Sequence, residues 1–381
     1  MPHREGRMDY ETPQFFRVMK YASEAEGDVI DMVSGNPDWE PPEALREGLR
    51  EYADADADEY QYPPSVGLTE LREEIAQRRG VARSQVVVTN GAGEANHLAM
   101  AGSLDAMSGN EIILTDPVYP YYAGRTSMLG AEQVYVHADE SGHLDPEAVR
   151  ERASEDTAAI VVNSPNNPMG VTYDGDTIEA LVEIAETHGA MLVSDEVYDH
   201  FDYSGRFTSA LSFDSPHRIV TNSFSKSMAI TGWRVGYAIF PHPDEPSPYG
   251  NLVDAARTRH MLTNVAISRP AQTAVLRALR ETGPEYYEAA RERMTERIER
   301  FTTALDEAGA EYTEPEGSFY VMARFPGIPG TLENVEWLID EAGVAGMPGE
   351  AFGESRADWM RFALVSPRVE EAAQRLDDFF E

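Results

Sequence analysis

Ala159-Ile160-Val161-Val162-Asn163-Ser164-Pro165-Asn166-Asn167-Pro168, then Asp174 to His188, then Met191-Leu192-Val193-Ser194-Asp195-Glu196-Val197-Tyr198 is the stretch that decides the fold. Its first and last blocks are short apolar runs rich in β-branched residues, which read as buried strands. Between them Ile178, Leu181, Val182 and Ala185 recur at helical spacing on one face. A strand, a helix and a second strand in this order predict a parallel pair with a covering helix. Outward from it, Val86 to Thr89, Ile112 to Leu114, Val134 to Val136, Arg218 to Val220 and Gly236 to Ile239 read as further buried strands separated by amphipathic segments. The expected fold is α/β: a mostly parallel seven-stranded sheet covered by helices on both sides, whose ligand lies beyond the carboxyl ends of the strands. From about Leu252 the texture changes to long helices, a strand pair at Ser318 to Phe325 and Met360 to Leu364, and a closing helix at Glu370 to Phe380, which is a smaller α/β domain. Asp54 to Glu59 reads as a solvated acidic loop.

Length and charge narrow the function classes. The 381 residues suffice for two domains, and the absence of cysteine excludes disulfides, iron–sulfur clusters and thiolate-ligated zinc. No histidine pairing resembles a metal motif, so no metal is expected. With 31 basic against 67 acidic residues the net charge is −36, and no basic block exists to meet nucleic acid or an anionic membrane. The opening Met1 to Pro13 has no apolar leader core and no run is long enough to span a membrane, so a soluble cytoplasmic protein is expected. Of the basic residues only Lys20 and Lys226 are lysines. Excess acid with so little lysine points to a high-salt habitat, where screening removes most self-repulsion. A lysine surviving in such a chain is a candidate for chemistry.

Polar residues cluster after the strands. Thr89-Asn90-Gly91-Ala92-Gly93-Glu94 is a glycine turn opening a helix, and its free N–H groups suit a single phosphate. It departs from a dinucleotide fingerprint, because Asn96 occupies the third glycine position. Asp195 and Tyr198 follow one strand and Asn167 another. Ser223-Phe224-Ser225-Lys226 and Gly232-Trp233-Arg234-Val235-Gly236 then place a lysine among hydroxyls eight residues before an arginine. That set suits a cofactor with an aldehyde for the amine and a phosphate for the serines and Arg234. It points to pyridoxal phosphate.

With Asn-Asn-Pro-x-Gly, Asp-Glu-x-Tyr and Ser-x-Ser-Lys to Gly-Trp-Arg-x-Gly in order, the chain resembles the class I aminotransferases, fold type I pyridoxal phosphate enzymes of the aspartate-aminotransferase fold family. The resemblance implies ping-pong transfer of an amino group between an L-amino acid and a 2-oxo acid. A lyase or decarboxylase on the same fold is the alternative. It implies residues 1–44 as an N-terminal segment joining the small domain, 45–270 as the large cofactor domain and 271–381 as the small domain. Carried over by position, Lys226 would be the Schiff-base lysine and proton carrier, and Asp195 would pair with the pyridine nitrogen. Tyr198 and Asn167 would bond the ring's 3-oxygen, and Tyr119 would stack on its face. Ala92, Gly93, Ser223, Ser225 and Arg234 would hold the phosphate. Tyr62 matches the tyrosine that reaches the neighbouring subunit's phosphate, which implies a homodimer with shared active sites.

For the substrate, the resemblance implies that Arg361 grips the α-carboxylate with a bidentate guanidinium and that the Gly35 loop closes over it. The loop Arg257-Thr258-Arg259-His260 lies where the family often places a cation from the partner, so Arg259 is the candidate reader of a side-chain carboxylate. Met169 stands where the family usually has threonine, which predicts a missing hydroxyl beside the cofactor.

Overall fold

The computed structural model describes residues 13–380. The opening residues, expected above to carry no leader segment, lie outside the described residues up to Thr12. Seven strands form the main sheet: β1 (Val86–Thr89), β2 (Glu111–Asp116), β3 (Glu132–His137), β4 (Thr157–Asn163), β5 (Met191–Asp195), β6 (Arg218–Ser223) and β7 (Gly236–Ile239). Their order is β1-β7-β6-β5-β4-β2-β3, and only β7 runs antiparallel to its neighbours. The expected fold class and all seven strands are present. Strand alternation explains why the runs are apolar throughout: Val86, Val88, Ile160, Val162 and Leu192 enter one core, while Val87, Ala159, Val161, Met191 and Val193 enter another on the opposite face.

Each face has its own helices. Ile178, Leu181, Val182 and Ala185 of helix Gly175–His188 cover the first. That helix starts where the Asp174 carboxylate accepts the Thr177 N–H at 3.0 Å and stops at Gly189, whose φ of +65° suits the left-handed cap. Ala95, Leu98, Ala99 and Met100 of helix Gly91–Ala106 cover the second, with Leu252, Val253 and Ala256 stacked behind them.

A four-stranded antiparallel sheet, ordered β10-β11-β9-β8, comprises β8 (Glu311–Tyr312), β9 (Tyr320–Arg324), β10 (Met347–Pro348) and β11 (Met360–Ala363). Ile30–Asp31 pairs in parallel with Val344–Ala345, tying the amino-terminal segment to this part of the chain. The closing helix runs Val369–Phe380. Two local expectations are corrected. Arg257 to His260 is no loop but part of helix Leu252–Asn264, because Leu252, Val253, Ala256 and His260 recur as one buried face. Within the acidic loop, Ala57–Tyr60 winds into a single 3-10 turn closed by Glu59 N–H to Asp56 O at 2.9 Å.

Candidate active site

A cavity of about 560 Å³ opens beyond the carboxyl ends of β1, β2, β4, β5 and β6, and residues of β10 and β11 form its far wall. At one end stands the first turn of helix Gly91–Ala106, where the N–H groups of Ala92 and Gly93 have no intrahelical acceptor. Gly91 has φ +70°, which lets the chain turn from β1 into the helix. Beside it the Ser223 hydroxyl donates to Ser225 Oγ at 2.8 Å, and Arg234 donates to Ser225 Oγ and Asn90 O, both at 3.3 Å. The five residues expected to hold a phosphate therefore converge. Three arginines, Arg125, Arg234 and Arg361, line the cavity, and none pairs with a carboxylate among the described residues.

Asp195 and Glu196 show how strand alternation divides labour. Asp195, the last residue of β5, is buried and faces the cavity; Oδ2 accepts from Tyr122 and Asn96, each at 2.6 Å, and Oδ1 accepts the Val197 N–H at 3.1 Å. Burial pushes its pKa upward, and those hydrogen bonds oppose the shift. Thr221 donates to Asn96 Oδ1 at 2.6 Å and so orients the amide toward Asp195. Glu196 points away, bonded to Arg79, Ser209 and the Ala210 N–H.

The half-buried Lys226 donates from Nζ to Gly35 O, which brings the Gly35 loop and the lysine together. Burial lowers its pKa, and the Arg361 and Arg234 charges push the same way against the Tyr320 phenol. Tyr198 is buried with its hydroxyl 3.0 Å from that of Tyr320, and burial beside this second phenol raises its pKa well above the ordinary value. Asn167 is also buried; its N–H bonds Asn163 Oδ1 at 2.8 Å and its Oδ1 accepts from Arg361 at 3.3 Å. Tyr119 lines the cavity between strand β2 and helix Pro120–Leu129.

Arg361, on β11, stands opposite Met322, so Tyr320 two residues away shares its face. The guanidinium lies 4.5 Å over the Tyr320 ring and 5.2 Å from that of Phe352, and donates to Val33 O. Its Nε is buried without a partner. The stack leaves a planar, desolvated cation facing the cavity.

Two expected residues are not brought to the cavity within one chain. Tyr62 is 83% exposed in a separate crevice with Tyr52, Tyr60 and Pro270, and Arg259 pairs with Asp105 on the outer helix. Met169 is fully buried in the core beside Val171 and the Gly142 turn and does not line the cavity. Sequence reasoning missed Asn96, Tyr122, Arg125 and Tyr320. Asn96 is five residues past Gly91 in an already quoted motif, and Tyr122 three past Tyr119, but neither spacing names Asp195 as the target.

The residues fit pyridoxal phosphate on their own chemistry. A Cβ on Gly91 would stand 2.3 Å from Arg234 Nη2, so glycine there is what lets the Arg234 guanidinium lie against the start of the helix. An amine, that cradle and a buried carboxylate able to meet a ring N–H line one cavity, and an arginine with an unsatisfied N–H faces the same space. Fold and cavity together define a fold type I pyridoxal phosphate enzyme.

The model of the family described as aminotransferase class I and II matches residues 27–376. Aspartate aminotransferase of Thermotoga maritima is 34% identical over 92% of this chain and 91% of its own length. That of Pyrococcus horikoshii is 31% identical over 96% and 93%. The structure of Thermus thermophilus aspartate aminotransferase with maleate superposes with a TM-score of 0.89 at 30% identity, covering 99% of this chain and all of that one. The chain belongs to the class I and II aminotransferase family. It is a pyridoxal phosphate-dependent aminotransferase.

Proposed function

We propose that this aminotransferase exchanges amino groups between a dicarboxylic L-amino acid, aspartate or glutamate, and a 2-oxo acid. The observation that carries the reading is the single cavity in which Lys226, Asp195, the phosphate cradle and Arg361 face one another. The substrate class is supported by relatives whose names specify aspartate and by the maleate complex of the Thermus thermophilus enzyme. When bound, the cofactor supplies an aldehyde to take up the amino group and a ring that withdraws electrons from the substrate Cα.

The chain's own residues divide the remaining work. Ala92, Gly93, Ser223, Ser225 and Arg234 hold the phosphate through N–H, hydroxyl and guanidinium donors. Asp195, oriented by Asn96 and Tyr122, would pair with the ring nitrogen and keep it protonated. Tyr198 and Asn167 would hold the ring's 3-oxygen, and Tyr119 would cover the ring. Arg361 would take the α-carboxylate, beside the Gly35 loop that Lys226 touches. The Lys226 amine, kept neutral more readily by its lowered pKa, removes the Cα proton and carries it onward.

A second copy of the chain completes this reading. Tyr62, Tyr60, Leu49, Met261, Leu262 and Val265 are exposed, and a homodimer covers them while delivering Tyr62 and Arg259 to the neighbouring site. The division at residues 44 and 270 belongs to the same proposal, as does a cytoplasmic, high-salt setting for a chain of charge −36. In single turnovers, L-aspartate and L-glutamate should convert the bound cofactor to its aminated form faster than L-alanine does. Ammonia release in place of the aminated cofactor, or a preference for alanine, refutes the proposal.

A further inference from the structure

Resting on the dicarboxylate reading, we propose that Arg125, supplied by the same chain as Arg361, binds the side-chain carboxylate of the substrate. In a chain with 67 acidic residues most surface arginines have carboxylate partners; Arg46, Arg277 and Arg368 are examples. Arg125 has none among the described residues, although it is half-buried and lines the cavity. Its one hydrogen bond is from Nη1 to Tyr121 O, one helical turn back, at 3.3 Å, and its guanidinium lies 6.0 Å from the Tyr121 ring centroid. Nε and Nη2 remain to donate. A guanidinium left unpaired in so acidic a molecule is placed for an anion from outside.

The geometry decides which anion. The phosphate already has a helix N-terminus, two serines and Arg234, and the α-carboxylate has Arg361. Arg125 reaches the cavity across the first turn of helix Gly91–Ala106, where a Cβ on Gly93 would lie 3.2 Å from its Nη2 and 4.0 Å from Arg234 Nη2. Any larger residue there would crowd the guanidinium. Arg125, Arg361 and Tyr119 line the same cavity. A short dicarboxylate spans such a pair of cations, and a monocarboxylate uses one. Arg259, the other candidate, is tied to Asp105 away from the cavity.

The test uses holoenzyme and two unreactive probes, maleate with two carboxylates and propionate with one, measured by calorimetry. Arg125→Leu should lower the ratio of maleate to propionate affinity by about 10- to 150-fold, the range of a charge-assisted hydrogen bond. Arg125→Lys should recover part of it, and the variants should release cofactor no faster than wild type. The inference is overturned if the ratio is unchanged, or if cofactor and both probes weaken alike, which assigns Arg125 to the phosphate. It is equally overturned if the ratio collapses in Arg259→Leu instead, which assigns the carboxylate to a neighbouring subunit. A wild-type enzyme that transaminates alanine but prefers neither aspartate nor maleate sinks the dicarboxylate reading itself.

Discussion

Gly91→Ala tests the phosphate cradle with one methyl group. At φ +70° an alanine costs about 1–2 kcal/mol of backbone strain. The new Cβ would stand 2.3 Å from Arg234 Nη2, 2.8 Å from Cζ and 3.1 Å from Nη1. Those atoms are the far end of a flexible side chain, so they swing aside at little further cost to the fold. Swinging aside breaks the 3.3 Å bonds to Ser225 Oγ and Asn90 O and removes the guanidinium from the phosphate. A lost charge-assisted hydrogen bond is worth about 1.5–3 kcal/mol, so the cofactor dissociation constant should rise about 10- to 150-fold. Absorbance titration of cofactor into apoprotein measures it, and urea unfolding of the apoprotein measures the strain separately. Gly232→Ala is the control, because a Cβ there meets nothing within 4 Å. Unchanged cofactor affinity in Gly91→Ala, or equal losses in both variants, would refute the geometric argument.

Arg79→Leu leaves the fully buried Glu196 without its cation and should cost about 3–5 kcal/mol of stability by urea unfolding, with Arg79→Leu/Glu196→Leu recovering much of it. A loss under 1 kcal/mol would mean Glu196 is neutral or hydrated. Arg361→Lys keeps charge but loses the fork and the stack on Tyr320, so affinity for carboxylate substrates should weaken by about 10- to 150-fold while the cofactor spectrum is retained; normal substrate affinity would assign Arg361 to structure. Asp28 is held at a pKa of about 2, below its usual 3.8, by Arg368 and Arg375. A depressed carboxylate pKa stabilises the fold above the unfolded value, so Asp28→Asn should lower the melting temperature at neutral pH. The gap to wild type should close as pH falls from 3.8 through about 2; a gap independent of pH would contradict the pairing.

The sheet was readable because strands buried on both faces leave uninterrupted β-branched runs, as at Ala159 to Val162. Residues at strand ends were readable because a short motif carries both their backbone geometry and their chemistry, as in Ser223 to Lys226. Arg257 to His260 was misread because two arginines mask a buried face that only Leu252, Val253, Ala256 and His260 together reveal. Asn96, Tyr122, Tyr320 and Arg125 were invisible for a different reason. Arg125 has only Tyr121 O within its own helix. The other three have partners far away in sequence: Asn96 and Tyr122 meet Asp195 across 99 and 73 positions, and Tyr320 meets Tyr198 across 122. Such pairings follow from register and helix rotation in the folded chain, which no local pattern encodes. Met169 carries the converse lesson, since proximity to Asn167 in sequence did not put its side chain on the cavity.

The central claim is that Lys226 holds the cofactor, and a chain with only two lysines allows a direct measurement. Lys20 is an exposed residue of helix Gln14–Glu24 paired with Glu24, whereas Lys226 lines the cavity together with the phosphate cradle and Arg361. Reduction of the holoenzyme with borohydride, followed by peptide mapping by mass spectrometry, should find the cofactor mass on the Lys226 peptide alone, with Lys226→Ala taking up no label and showing no transamination. Label on Lys20, or near wild-type transamination by Lys226→Ala, would contradict the account.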